Sequence, residues 1–187
     1  RGGVPVAAVV AERLGAPLDL LLVRKLGMPG HEELAAGALV DGDPPQAVYN
    51  PEVLAMAGMD ERDFAGQIAE KTREIAERRA LWLAGRAPVD LAGRTAIVVD
   101  DGIATGATVR AALRGLRARK PEGVWLAVPV APHDTLARLA HEADNVICLS
   151  RPEAFQAVGL HYRRFDQVSE AQVSEILGRL GPTDRRS

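Results

Sequence analysis

Solid apolar runs alternate along the chain with segments whose apolar residues recur at helical spacing. Ala96-Ile97-Val98-Val99 is a short run rich in β-branched residues, and Gly123 to Val130 and Asn145 to Leu149 have the same character. Such runs suit strands buried on both faces, as in a parallel sheet with helices on each side. Leu18 to Val23 predicts a further strand of this kind, ending in Arg24-Lys25, and Gln46 to Tyr49 a short one. Helical patterns fill the intervals: Val4 to Leu14, Pro51 to Ala57, Ala107 to about Ala118, and Thr135 to Ala143. A long helix starts at the cap Asp60 and runs to about Leu83, with Phe64, Ile68, Ile75 and Trp82 on one stripe. Ser169-Glu170-Ala171-Gln172 reads as a capping box opening a last helix, stopped at Gly181-Pro182. The alternation predicts an α/β fold with an open, mainly parallel sheet flanked by helices.

Two adjacent carboxylates, Asp100 and Asp101, follow the apolar run at Val99. A buried charge must be paired or coordinated, so they belong at the strand's carboxyl end, where open α/β sheets place their ligands. Gly102-Ile103-Ala104-Thr105-Gly106 then leads into the helix at Ala107. Glycine lets the backbone approach a ligand closely, and a helix start offers free N–H groups with roughly half a positive charge. Thr105 and Thr108 add hydroxyls. An acidic pair beside an anion cradle is resolved by a ligand with a hydroxylated middle, its phosphate in the loop and its diol on the carboxylates, with a divalent metal nearby.

Other readings of this stretch fit less well. A Walker loop needs a lysine after its second glycine, and none follows Gly106. The dinucleotide fingerprint places its acid about 20 residues after the glycines, whereas here the acids come first. A receiver domain needs a lysine at a later strand end, and Lys120 lies at a helix end.

Ile97-Val98-Val99-Asp100-Asp101-Gly102-Ile103-Ala104-Thr105-Gly106-Ala107-Thr108 resembles the phosphoribosyl pyrophosphate signature of type I phosphoribosyltransferases. The resemblance implies that fold, with a small hood region. It also implies that Asp100 and Asp101 hold the ribose 2′- and 3′-hydroxyls and act as catalytic residues, with Gly102 and Ala104, Thr105, Gly106, Ala107 and Thr108 wrapping the 5′-phosphate. Mg²⁺ is the implied cofactor, met by Asp100 and Asp101 indirectly through ribose or water.

Arg1-Gly2-Gly3 resembles the family's pyrophosphate loop, and it directly precedes an apolar helix. A turn that leads into a buried helix normally leaves a strand, so the chain reads as N-terminally truncated. Arg24 and Lys25, expected at a strand end in the same sheet as Asp100, would add charge for the leaving pyrophosphate. Residues 24–40, with Pro29 and three glycines among them, read as a flexible loop suited to a lid, carrying Glu33 as a candidate acid–base or oxocarbenium-stabilising group. The passage Arg24 to Pro29 with Glu33 to Ala38 is similar to a bacterial and archaeal branch of phosphoribosyltransferase-domain proteins whose acceptor is generally unassigned. Residues 150–168 are the candidate hood, in which Phe155 or Tyr162 would stack on an acceptor or pack as a small satellite core.

With 187 residues, one domain spanning 1–187 is the natural expectation. A net charge of −2 gives no support for nucleic acid or a membrane surface as partner, and no apolar stretch reaches the roughly 18 residues of a membrane span. Cys148 stands alone, which excludes an internal disulfide framework. The expected location is cytoplasmic and the expected partners are small molecules: phosphoribosyl pyrophosphate and an acceptor base. A homodimer stays open. Two functional classes remain in view: an Mg²⁺-dependent phosphoribosyltransferase that releases pyrophosphate, and a non-catalytic sensor of the donor or of nucleotides.

Overall fold

The computed structural model describes residues 1–83 and 88–181, apart from the side chains of Glu32 and Glu33. In chain order, α1 (Gly3–Leu14) is followed by β1 (Val23–Met28), β2 (His31–Val40) and β3 (Gln46–Tyr49), then by α2 (Pro51–Ala57) and α3 (Ala65–Leu83). The second half runs β4 (Thr95–Val99), α4 (Ala107–Ala118), β5 (Gly123–Val130), α5 (His133–Leu139), β6 (Asn145–Ser150) and α6 (Glu170–Leu180). Among the described residues, no helix is long and apolar enough to cross a membrane.

The open parallel sheet is present as the three strands β4-β5-β6, with α4 and α5 as the crossovers. Its register is regular, from Thr95 against Gly123 to Val99 against Ala127. Leu113, Val124 and Leu126 lie fully buried between this sheet and its helices. β5, lying between β4 and β6, has its backbone paired on both sides.

The first half departs from expectation. Residues 24–40, read as a loop, are a hairpin: β1 pairs antiparallel with β2, and β2 with β3, in a second sheet. Pro29-Gly30 makes the turn between Met28 and His31, with Gly30 at φ 80°, a pairing of residues that favours a tight reversal. Leu26, Met28, Ala36 and Leu39 then pack inward with α1, α3 and α6. Pro29 and Gly30, which suggested a lid, serve the turn, and Gly27 lies at the register shifts of the hairpin.

The strand expected at Leu18 to Val23 is also moved: β1 begins at Val23, and residues 18–22 carry no strand pairing. Leu18–Arg24 and Thr95–Asp100 both contribute to the lining of a cavity of about 830 Å³. Among the described residues no strand pairing joins the two. For the same reason β4, expected to be buried on both faces, is only half-buried over Ala96–Val99.

The helix boundaries follow their caps. Asp60 forms a capping box with Asp63 and starts a 3₁₀ turn (Glu61–Phe64) that runs on into α3. Ser169 and Gln172 form the expected box before α6. Arg79 of α3 pairs with the buried Asp41 just beyond β2 and reaches Asp19 at 3.6 Å, tying α3 to both neighbouring segments.

Candidate active site

The site is built at the carboxyl end of β4. Beyond Val99 the chain leaves the sheet, and the Ile103 amide bonds the Val130 carbonyl at 3.0 Å, which pins the turn to the end of β5. Gly102 sits where a Cβ would stand 2.6 Å from Val158 and 3.0 Å from Val130, so a larger residue would lift the turn off both. Gly106 caps α4 with φ 79°, a conformation that favours glycine. No side chain caps α4, so its first amides have no side-chain acceptor.

Asp100 is half-buried, and its carboxylate accepts the Asp101 backbone N–H at 3.0 Å. Burial pushes its carboxyl above the ordinary carboxylate value; the Asp101 N–H opposes this and the Asp101 charge adds to it. The Tyr162 hydroxyl donates to the Asp101 carbonyl, and its ring packs on Phe165 at 5.2 Å. Burial and the two carboxylates hold the Tyr162 phenol protonated beyond its usual range.

Arg1-Gly2-Gly3 meets this acidic pair directly. A Cβ on Gly2 would stand 1.7 Å from Asp101 Oδ2, and one on Gly3 would stand 2.8 Å from Asp100 Oδ1 and 2.9 Å from Asp100 Cα. The glycine turn and the carboxylates, about a hundred residues apart in sequence, thus form one surface on which no side chain fits between them. Arg1, Gly3, Arg24, Asp100 and Thr108 all contribute to the lining of the 830 Å³ cavity.

The model of the phosphoribosyl transferase domain family matches residues 1–163, which takes in the glycine turn, the acidic pair, the loop and Tyr162. The chain belongs to that family. It is 45% identical over 179 residues to a Mycobacterium tuberculosis H37Rv protein named "Putative phosphoribosyl transferase Rv0571c", and equally to its counterpart in strain CDC 1551. Each alignment takes in 96% of this chain and 40% of the relative, so the chain spans two fifths of the length of these curated relatives. The crystal structure of TT1426 from Thermus thermophilus superposes with a TM-score of 0.82 at 38% identity, over 97% of this chain and 85% of that one.

Within this phosphoribosyl transferase domain the remaining candidates are placed as follows. Arg24 and Lys25 lie near the start of β1, opposite Leu39 and Ala38, and not at a strand end in the sheet of Asp100. The Arg24 Nε donates to Glu74 Oε2 of α3 at 3.1 Å, so part of its charge is already matched. Arg1 stands 3.7 Å from Glu170 at the start of α6. Glu33 lies in β2, and its side chain is outside the described residues. Phe155 stacks on His161 at 5.4 Å, so both hood aromatics, Phe155 and Tyr162, have ring partners within their own segment.

Reading the sequence alone left two contributors unassigned. Val158 closes over Gly102, and Thr135 reaches the loop from α5. Neither sits in a motif; only the demand that Gly102 and Gly106 have something packed against them points to such partners.

Proposed function

We propose that this chain is the phosphoribosyl-transferring unit of its protein, using phosphoribosyl pyrophosphate as donor and a nucleobase-like acceptor. The observation that carries the reading is the packing of Gly2 and Gly3 onto Asp101 and Asp100, since it joins a pyrophosphate-type turn to a diol-binding pair. In the reaction the bond from ribose C1 to the pyrophosphate oxygen breaks, and its electron pair leaves with pyrophosphate. An acceptor lone pair forms the new bond at C1, and the acceptor's proton passes to solvent.

The residues act by position and charge, with no covalent nucleophile. Asp100 and Asp101 accept hydrogen bonds from the ribose 2′- and 3′-hydroxyls and stand close to the positive charge that develops on the ring. The amides from Ala104 to Thr108, with the hydroxyls of Thr105 and Thr108, anchor the 5′-phosphate. Gly2 and Gly3 let backbone amides approach the pyrophosphate, with Arg1, Arg24 and Lys25 contributing positive charge nearby. Glu33 is retained as a candidate for the acceptor side.

The donor set fits Mg²⁺ in a shared manner only. Asp100 and Asp101 are two adjacent carboxylates, and among the described residues no group of three His, Cys, Asp or Glu could hold an ion by itself. Mg²⁺ would be held chiefly by donor oxygens and water, oriented by Asp100 and Asp101, and would neutralise charge on the pyrophosphate.

The test is pyrophosphate release by the full-length protein from phosphoribosyl pyrophosphate and Mg²⁺, across purine, pyrimidine and pyridine acceptors. Release stimulated by one acceptor class is the expected outcome and names the substrate class. Donor binding without release under any acceptor would overturn catalysis in favour of a sensor.

A further inference from the structure

The loop assigned to the 5′-phosphate is held from behind by one side chain. Thr135, in the first turn of α5 and only 3% exposed, donates its hydroxyl to the Ala104 carbonyl at 2.9 Å. Its Oγ1 also accepts from Arg138 Nη2 at 3.1 Å. Its methyl group is the nearest atom, at 2.9 Å, to the place a Cβ on Gly106 would occupy. Thr135 therefore touches the loop at Ala104 by hydrogen bond and at Gly106 by contact. A guanidinium has no acceptor, so the Thr135 proton has no competing use at Arg138 and is directed to Ala104.

The consequence is geometric. The Ala104–Thr105 peptide is trans, since the cis bond of the described chain is Asp43–Pro44. In a planar trans peptide the carbonyl and the following N–H point in opposite directions. A carbonyl fixed toward α5 turns the Thr105 N–H away from α5, and among the described residues that N–H has no protein acceptor. We propose that Thr135 is a positioning residue that aims the Thr105 amide at the donor's 5′-phosphate, with Arg138 holding its hydroxyl in place. This rests on the proposed function, and it adds a residue from outside the signature motif to the phosphate site.

The probe is ribose 5-phosphate, titrated into the whole protein with ribose as the control. Thr135→Val keeps the shape and removes the hydroxyl; Thr135→Ser keeps the hydroxyl. Loss of one such hydrogen bond corresponds to about two- to tenfold weaker ribose 5-phosphate binding in the valine variant. The donor KM should rise by a similar factor with kcat within about twofold, and the serine variant should behave as the native protein does. A merely structural role would lower the melting temperature and the active fraction, and so kcat, while leaving KM in place. The Thr105 amide resonance gives a direct reading: it should move on phosphate binding in the native protein and move less in Thr135→Val. If the valine variant does not fold, Arg138→Gln, on an exposed side chain, should weaken ribose 5-phosphate binding in the same direction by a smaller factor.

Native affinity and an unaltered Thr105 shift in Thr135→Val, or native affinity in Arg138→Gln where the valine variant does not fold, would overturn the proposal and leave the proposed function standing. A native protein that binds no ribose 5-phosphate would overturn both.

Discussion

The acidic edge of the parallel sheet and the cationic hairpin of the antiparallel one were expected to flank the same donor, yet they are built differently. From Asp100 to Thr108 the site runs without a break along the chain, and its backbone turn is set by its own glycines and by the end of β5. In the hairpin, Arg24 lies in a paired strand and its guanidinium is held by Glu74, fifty positions on. The first region presents two adjacent carboxylates and a helix start without a side-chain cap; the second presents a cation that the fold already uses. A contiguous site keeps its chemistry wherever the strand ends, whereas a charge inside a hairpin is subject to whatever helix packs beside it.

The largest effect is expected at the acidic edge. Asp101→Asn removes a charged acceptor next to Gly2, and hydrogen bonds to charged groups contribute about 1.5–3 kcal/mol each. Donor-dependent kcat/KM should fall about a hundredfold with the melting temperature little changed, measured by pyrophosphate release. Full activity would sever the ribose assignment from this residue.

On the hairpin side the largest expected effect is on stability. Arg79→Ala leaves Asp41, which is 3% exposed, without its cation, and breaking a buried pair typically costs about 3–5 kcal/mol. Urea unfolding should show that loss, while the donor KM of the folded fraction stays within about twofold. A large rise in KM with little loss of stability would mean that α3 and β2 support the site more closely than the comparison allows.

The same contrast explains what was legible in the sequence. β5, β3 and α2 have the boundaries expected, because apolar runs and local caps decide them. The acidic turn, the loop and the glycine turn were readable for the same reason: each is a short run whose chemistry lies in adjacent residues. The hairpin was missed because Pro29 and its glycines signal a reversal equally well in a loop and between strands. Only the burial of Leu26, Met28 and Leu39 against α3 decides for strands, and that packing is a long-range property. Thr135 escaped notice because a threonine in a first helical turn usually marks only the helix start.

Smaller effects test whether the hairpin serves the donor at all. Arg24→Gln and Lys25→Gln should each raise the KM for phosphoribosyl pyrophosphate about three- to tenfold, while ribose 5-phosphate, which lacks the pyrophosphate, binds as before. Arg24→Gln should change stability by less than about 1 kcal/mol, because its pair with Glu74 is partly exposed. An equal loss toward both ligands would place these cations elsewhere than at the pyrophosphate.

The smallest expected effect concerns the free protein and runs opposite to activity. Burial raises the Asp100 carboxyl above the ordinary 3.8, so the folded chain holds that proton more tightly than the unfolded one. The resulting stability is full below the unfolded value and is lost as pH rises through the raised one. Ionising Asp100 in the folded protein therefore carries a cost that ionising it in the unfolded chain does not. Asp100→Asn removes that cost and should raise the melting temperature relative to the native protein at pH values above the raised one, and leave it unchanged in acid. It should also flatten the decline of stability with rising pH. Asp41, whose carboxyl burial also raises, remains in the variant and keeps its own contribution to the slope. On the proposed ribose assignment donor use should fall in the same variant, since a neutral amide cannot replace a carboxylate as acceptor for two hydroxyls. An Asp100→Asn variant that melts as the native protein does at every pH would show that Asp100 is as well solvated as an exposed acid. The acidic edge would then carry no stored cost for a ligand to relieve.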